Sequence, residues 1–185
     1  MKNFNLSYLG IIALILLASF SRIIPHAPNF TPIGAIALFG GAYFNNKHQA
    51  FIIPILSLWI SDLVINNYIL SYYYGQFVWF YPGALWQYSS FCIIAAIGYF
   101  SLRRLSFKRV FSSSIFASLV FFVITNFGVW ASGSLYPLNT SGLIECYVLA
   151  LPFYKNTLLS FLLYSSLLFG AFEIIKSRLV LNNQF

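Results

Sequence analysis

Long apolar runs, separated by short polar segments, dominate the chain. A helix needs roughly 20 apolar residues to cross the hydrocarbon core of a bilayer. Read along the chain, the runs predict an all-α integral membrane protein with six transmembrane helices in a single domain, residues 1–185. The expected bounds of the six helices are about 6–24, 32–45, 50–70, 84–102, 110–132 and 155–175.

The second of these segments, 32–45, is short and unusually slim. It carries Gly34, Gly40 and Gly41 among several alanines, and small residues let neighbouring helix backbones approach closely. Its run GAIALFGG has no nearby lysine to act as a phosphate-binding loop, so it indicates helix packing. We therefore expect either a tightly packed short helix or a half-span.

Two longer segments between the apolar runs are rich in aromatic residues. Residues 66–83 are predicted to form a loop with many tyrosines and tryptophans, which are enriched at membrane interfaces. Residues 133–153 are predicted to form a second long loop, with a short helix expected over 141–150.

The most distinctive segment follows the first apolar run and reads RIIPHAPNFTP over residues 22–32. Pro25, Pro28 and Pro32 lack backbone donors, and each disfavours helix in the residue before it. One helix should therefore end near Ile24, and another can begin at Pro32, because proline suits the first helical turn. The pattern predicts a rigid, polar connector.

Composition supports an integral membrane protein and argues against a soluble domain or a nucleic-acid-binding protein. Apolar residues make up 60% of the chain and charged residues 7%, against roughly 25% charged in soluble domains. The net charge is +7, but the basic residues lie at the ends of apolar runs, which indicates topology signals and not a nucleic-acid surface. Cys92 and Cys146 have no metal-binding spacing, and we expect neither a metal nor a cofactor.

Basic residues are unevenly distributed between the predicted loops, and this sets the orientation. Cytoplasmic loops of membrane proteins carry an excess of Lys and Arg. With both termini in the cytoplasm, only Arg22 and Lys155 lie outside, which favours six crossings. We expect the first helix to be retained and not cleaved, because a multi-span protein has no need to lose it. The basic residues then placed inside are Lys2, Lys47, Arg103, Arg104, Lys108, Arg109, Lys176 and Arg178.

In this orientation the polar and ionisable residues of the spans and outer loops converge on the outer side. This convergence predicts a pocket that opens outward and binds a small molecule. The candidate binding residues are Arg22, His26, Asn29, Asp62, Tyr88, Asn126, Trp130, Tyr136, Lys155 and Asn156.

Asp62 is the strongest candidate among them. An acidic residue inside an apolar span is costly and indicates a functional site by default. The alternatives are a structural ion pair with Arg22 or Lys155, or a carboxylate that accepts backbone N–H groups at a helix end. His26 is either a ligand contact or a loop histidine, and no second histidine accompanies it on the outer side, so a metal site is not expected.

Several motifs carry a family resemblance over roughly residues 20–172. The matching stretches are 22–35, 39–42, Pro54 with 61–63, 88–91, 125–130, 136–137 and 151–159. On these motifs the chain resembles a bacterial family of small six-helix membrane proteins of largely unassigned function. That family is similar to the substrate-binding S-components of energy-coupling factor vitamin transporters, with solitary cobalamin transporters of the BtuM type nearest.

The resemblance implies an S-component fold in the inner membrane of a bacterium that captures a vitamin-like molecule on the outer side, alone or with an energy-coupling module. His26, Asp62 and Tyr88 match the polar residues of that pocket, and Lys155 stands where the family pattern has an arginine. The cobalamin transporters carry a cysteine a few residues before the tyrosine, whereas residues 81–87 contain none and Cys92 follows Tyr88 by one turn. The ligand expected from the resemblance is therefore a cobalamin-like molecule or a different vitamin.

Two other functions remain open from the sequence. The first is a membrane enzyme at the outer face, with Asp62 and His26 as acid and base, although no catalytic constellation emerges and we expect no enzyme. The second is a scaffold subunit without a ligand, in which the polar residues pair among themselves and leave no outward cavity.

Overall fold

The computed structural model describes the backbone of residues 2–181 and the side chains of residues 8–178. In this part of the chain the structure is entirely helical and contains no strand, which confirms the predicted all-α class. The helices are α1 (Lys2–Phe20), α2 (Ile33–Tyr43), α3 (Lys47–Val64), α4 (Ser71–Tyr74), α5 (Ala84–Ser101), α6 (Phe107–Ala131) and α7 (Thr140–Leu181).

Three helical stretches among the described residues are long and apolar enough to cross a membrane: Lys47–Ile69, Phe107–Ala131 and Thr140–Arg178. The stretches Tyr8–Ile23 and Ile33–Tyr43 are apolar but shorter. At 1.5 Å per residue α2 is about 17 Å long, whereas the hydrocarbon core is about 30 Å thick. The protein therefore has the character of a helical membrane protein, and α2 is too short to cross the bilayer alone.

The proline-rich connector separates α1 from α2 as its sequence predicts. After α1 a 3₁₀ turn covers Ser21–Ile23, and the backbone then becomes extended at Ile24, next to Pro25. Asn29 adopts a left-handed conformation with φ of 61°, which asparagine tolerates better than most residues. Pro32 caps α2, and its carbonyl accepts the backbone N–H of Ile36 at 2.9 Å.

Helix α2 lies at the centre of the bundle, and every residue of Ile33–Gly41 is buried. It packs most extensively on α5, where the backbones touch. A Cβ added at Gly41 would overlap the carbonyl of Ala95, and one at Gly98 would overlap the carbonyl of Leu38. The small residues of α2 thus permit the close helix packing that the sequence predicts.

Side-chain contacts gather the helix termini at two opposite ends of the bundle. At the first, which we name the Arg22 end, Arg22 after α1 contacts Asp62 near the end of α3. At the second, the Lys176 end, Tyr43 at the end of α2 donates a hydrogen bond to Glu173 of α7 at 2.8 Å. The candidate site predicted from the sequence lies at the Arg22 end.

The short helix predicted over 141–150 is present, but it is the beginning of α7, which starts at Thr140 and continues to Leu181. The predicted interruption between this short helix and the last span at 155 is therefore wrong. Asn139 caps this helix: its side-chain oxygen accepts the backbone N–H of Gly142 at 2.8 Å. Pro152, which the prediction treated as the end of a loop, lies inside the helix. Over 42 residues α7 is about 63 Å long, so it extends well beyond the thickness of a bilayer.

The predicted loop over 66–83 is partly helical. A π-helical turn, Ile65–Ile69, extends α3, and the four-residue α4 follows it. Asn67 in the π turn braces the remaining loop, because its amide accepts the N–H of Val78 at 2.6 Å and donates to the Val78 carbonyl at 3.0 Å. The aromatic side chains of this segment are largely exposed, which fits the interfacial position that the sequence favours.

Candidate functional site

An ion pair at the Arg22 end joins the two charged residues that the sequence singled out there. The guanidinium Nη1 of Arg22 donates to Asp62 Oδ1 at 2.6 Å and to the hydroxyl of Ser61 at 2.9 Å. Only 12% of the Arg22 side chain and 7% of the Asp62 side chain are exposed. Of the alternatives left open for Asp62, the structure shows the pair with Arg22.

The second carboxylate oxygen of Asp62 accepts a hydrogen bond from the hydroxyl of Tyr88 on α5. Both oxygens of Asp62 are therefore engaged by protein donors. Asp62 links α1, α3 and α5, and it fixes the positions of Arg22 and Tyr88 rather than offering a free carboxylate.

A small cavity lies beside this ion pair, between the connector and α2, α5, α6 and α7. Its volume is about 110 Å³. We name it the polar cavity, and its lining residues are Arg22, Asn29, Thr31, Ile33, Gly34, Gln87, Phe121, Thr157, Ser160 and Phe161.

Several polar groups on the wall of this cavity are free to bind a ligand. Arg22 uses only Nη1 for its protein hydrogen bonds, and its Nη2 and Nε have no acceptor among the described residues. The side-chain amides of Asn29 and Gln87 likewise make no hydrogen bond in the part of the chain that the structure covers. Thr157 and Ser160 donate to carbonyls of their own helix, which leaves their oxygens able to accept.

A second cavity, which we name the aromatic cavity, adjoins the first through Gln87 and has a volume of about 300 Å³. The Trp86 indole forms part of its wall and packs directly over Gly128 of α6, where an added Cβ would overlap the ring. The other lining residues are Tyr81, Pro82, Gly83, Gln87, Thr125, Val129, Ser132, Ser134 and Leu135.

Tyr81 is the most unusual residue of the aromatic cavity. Its hydroxyl is buried and has no hydrogen-bond partner among residues 8–178. Burial raises the pKa of this phenol, and the negative charge of Asp62 raises it further, while Arg22 acts in the opposite direction. Tyr81 therefore stays protonated at neutral pH and offers an unused donor.

The connector is attached to the end of the bundle by Asn156, whose side-chain amide donates to the Pro28 carbonyl at 3.0 Å. This bond holds the loop that presents Asn29 to the polar cavity. His26 is exposed on the same loop, with its Nδ1 at 2.7 Å from the Ile24 carbonyl. No hydrogen bond or ion pair in the described structure connects His26 to Asp62.

Four other candidate residues lie outside both cavities. Asn126 donates to the Phe122 carbonyl of its own helix at 2.7 Å, and Trp130 donates to the Pro137 carbonyl at 3.1 Å, so both support local structure. Tyr136 is half-buried and Lys155 is exposed, and neither lines the polar or the aromatic cavity.

The structure also adds residues that the sequence reasoning missed, chiefly Ser61, Gln87, Thr157 and Ser160. Gln87 directly precedes Tyr88, and Thr157 and Ser160 are spaced three apart, on one face of α7. That spacing was the available signal, but Ser and Thr are common in apolar helices. Within the described residues, no group of three His, Cys, Asp or Glu side chains is placed to hold a metal ion.

The fold and the site together define an all-helical protein with helices apolar enough to span a membrane and polar cavities at one end of the bundle. The chain belongs to a family of unknown function, DUF6580, whose match covers residues 2–183. No curated protein matches the chain, and no solved structure matches it.

Proposed function

We propose that this protein is a membrane transporter that captures a vitamin-sized molecule in the cavities at the Arg22 end, in the manner of an S-component. In this proposal the chain crosses the inner membrane of a bacterium six times, with both termini in the cytoplasm and the Arg22 end outside. It works alone or with an energy-coupling module.

One observation carries the proposal: unused hydrogen-bonding groups from three separate segments converge on one cavity. Arg22 and Asn29 come from the connector, Gln87 from α5, and Thr157 and Ser160 from α7. Arg22, Thr157 and Ser160 keep spare hydrogen-bonding capacity beside their protein bonds, and the side-chain amides of Asn29 and Gln87 have no partner among the described residues. A convergence of such groups on one cavity is typical of a site that is completed by a bound molecule.

The lining groups favour a particular kind of ligand. The Nη2 and Nε groups of Arg22 have no acceptor among the described residues. Guanidinium donors of this kind bind carboxylate, phosphate or carbonyl oxygens strongly. The ion pair with Asp62 offsets the charge of Arg22, so the site favours a polar or singly charged group over a multiply charged one. The aromatic cavity next to Gln87 suits a flat, apolar portion of the same molecule, stacked near Trp86.

The size of the cavities argues for a ligand smaller than a corrinoid. Ligand pockets are typically about 300–1,000 Å³, and the aromatic cavity, at about 300 Å³, lies at the lower end of this range. Cys92 is exposed on α5 and lines neither cavity, so no thiolate is placed to bind cobalt there. A smaller vitamin or a vitamin precursor fits these dimensions better than cobalamin.

The same geometry does not favour the two rival functions. A scaffold subunit needs no cavity lined by unpaired polar groups, although the pairing of Arg22 with Asp62 alone would suit it. An acid–base enzyme built on Asp62 and His26 would need both groups near one substrate atom. Here both oxygens of Asp62 are occupied, and His26 contacts the Ile24 carbonyl instead.

The proposal is tested by identifying a ligand of the purified protein. Native mass spectrometry would detect a co-purified molecule, and a thermal-shift panel of vitamins, cobalamin and cobinamide included, would detect added ones. A ligand specific for the folded state stabilises it by about 2.7 kcal/mol at a hundredfold excess over Kd. We expect Gln87→Leu and Thr157→Val each to weaken binding about tenfold, through loss of a hydrogen bond to the ligand.

Ser89→Ala is the matched control, because Ser89 lies on the same helix as Gln87, lines neither cavity and bonds only to the Leu85 carbonyl. It should leave the affinity unchanged. No ligand in either assay, or equal weakening by Ser89→Ala, would count against a binding site at the Arg22 end.

A further inference from the structure

A third cavity lies at the Lys176 end, far from the proposed ligand site. It has a volume of about 530 Å³ and is formed by residues of α1, α2, α3 and α7, of the connection between α2 and α3 and of the connection after α5. Two basic side chains, Arg103 after α5 and Lys176 on α7, line it together with the polar side chains of Asn45 and Gln49. We name it the basic cavity.

Among residues 8–178, the only carboxylate contact to the two cations of the basic cavity is a long one from Glu173 to Lys176. Arg103 lies over the ring of Tyr99, 3.9 Å from its centroid, and this contact leaves the guanidinium N–H groups free. Lys176 lies 3.9 Å from Glu173, at the limit of an ion pair, with both side chains about half exposed. Such exposed pairs are weak.

Basic residues outnumber acidic ones at the Lys176 end, so the electrostatic potential there is positive. Glu173 is the single acidic residue there among residues 8–178, and its carboxylate already accepts the Tyr43 hydroxyl. The further basic residues near the helix termini at this end are Lys47, Arg104, Lys108, Arg109 and Arg178.

Apart from Asn46, Tyr8 and Tyr43, the remaining wall of the basic cavity is apolar. Ile11, Phe44, Leu102 and Phe172 line it and are each at most 6% exposed. Cations at the ends of apolar helices stand at the level of lipid headgroups, and basic pockets between such helices bind anionic headgroups. A free anion would make no use of the apolar wall, whereas a phospholipid would cover it with the upper part of its acyl chains.

We propose that the basic cavity binds an anionic phospholipid, with the phosphate between Arg103 and Lys176 and the polar part of the headgroup near Asn45 and Gln49. This site is separate from the ligand site at the Arg22 end and does not depend on it. It assigns a lipid-binding site to the end of the bundle opposite the proposed ligand site.

The experiment measures lipid binding to the full chain in neutral detergent by native mass spectrometry. Phosphatidylglycerol and phosphatidylcholine of equal chain length are added at matched concentrations. Wild type should retain phosphatidylglycerol preferentially, and Arg103→Gln with Lys176→Gln should weaken this binding about 25-fold, at roughly fivefold for each charge removed. Glycerol phosphate, which has the anion without the chains, should not compete.

The matched control is Arg104→Gln with Lys108→Gln, which removes the same charge from exposed residues that do not line the cavity. It should keep the preference for phosphatidylglycerol within about twofold. Lys176→Gln alone, at a half-exposed position, provides the test if the double variant does not fold.

Three results would overturn the proposal. They are equal retention of both lipids, equal loss in the control double variant, and effective competition by glycerol phosphate. Ligand binding at the Arg22 end should be unchanged in the Arg103 and Lys176 variants, so failure of one site would be distinguishable from failure of the other.

Discussion

Asp62 illustrates how much one buried residue can organise. Its carboxylate accepts from Arg22 on one oxygen and from Tyr88 on the other, so three helical elements meet at a single group. A charge in such a place is tolerated because its partner neutralises it, and loss of one partner leaves the other charge buried. Asp62 therefore holds Arg22 in the cavity wall, and under the proposed function its contribution to ligand binding is indirect.

Because Arg22 and Asp62 are paired, substitutions at these two positions should have non-additive effects on the free energy of unfolding. Asp62→Asn should lower the free energy of unfolding by about 3 kcal/mol, because it leaves the Arg22 guanidinium without its counterion. Arg22→Gln combined with Asp62→Asn should be less harmful than the sum of the single changes, by about 1–3 kcal/mol. Equilibrium unfolding in detergent measures all four proteins of the cycle, and simple additivity would show that the pair is not coupled.

The chemistry of single residues explains which site residues could be predicted. An acid in an apolar run is conspicuous, so Asp62 was found, but its partner could not be chosen between Arg22 and Lys155 from sequence spacing. Asn126 and Trp130 looked similar to Asp62 on polarity alone, yet each satisfies its donor on a nearby carbonyl. Gln87 could not be recognised as a cavity residue from the sequence, because its place in the cavity wall depends on which helices pack around it.

At the scale of whole helices, boundaries set by proline could be predicted from the sequence, whereas the boundary set by a capping side chain could not. The prolines of the connector fix φ and remove donors, so the end of α1 and the start of α2 follow from the sequence. In α7, by contrast, Pro152 is accommodated within a helix that already started at the Asn139 cap. The sequence placed the start of the last span after Pro152, whereas in the structure the helix runs through this residue and packs against α6.

The contact between α2 and α5 gives a prediction at this scale. Gly98→Ala should lower the free energy of unfolding by about 1–3 kcal/mol, since its Cβ would meet the Leu38 carbonyl and force two backbones apart. Gly170→Ala is the control: nothing lies within 4 Å of its added Cβ, and a helical glycine replaced by alanine should gain up to about 1 kcal/mol. Thermal unfolding compares the two, and equal effects would contradict the packing argument.

For the molecule as a whole, the two ends of the bundle should lie on opposite sides of the membrane. Single-cysteine variants Gln76→Cys and Arg104→Cys, made without Cys92 and Cys146, test this at exposed positions near each end. A membrane-impermeant maleimide should label Gln76→Cys in intact cells and Arg104→Cys only after permeabilisation. Labelling of both from one side would rule out the six-span arrangement with the Arg22 end outside.

The complete enclosure of α2 also has a consequence for how the protein is made. Phe161 of α7 lies where a side chain at Gly34 would be, and Phe39 packs edge-on against Phe169 at 5.3 Å and Phe172 at 5.8 Å. These partners are synthesised more than a hundred residues after α2. Since α2 is too short to be held by lipid alone, it reaches its final environment only when the last helix arrives. The centre of the bundle is therefore complete only once α7 packs over α2, and we expect a chain that stops before α7 to leave part of α2 uncovered.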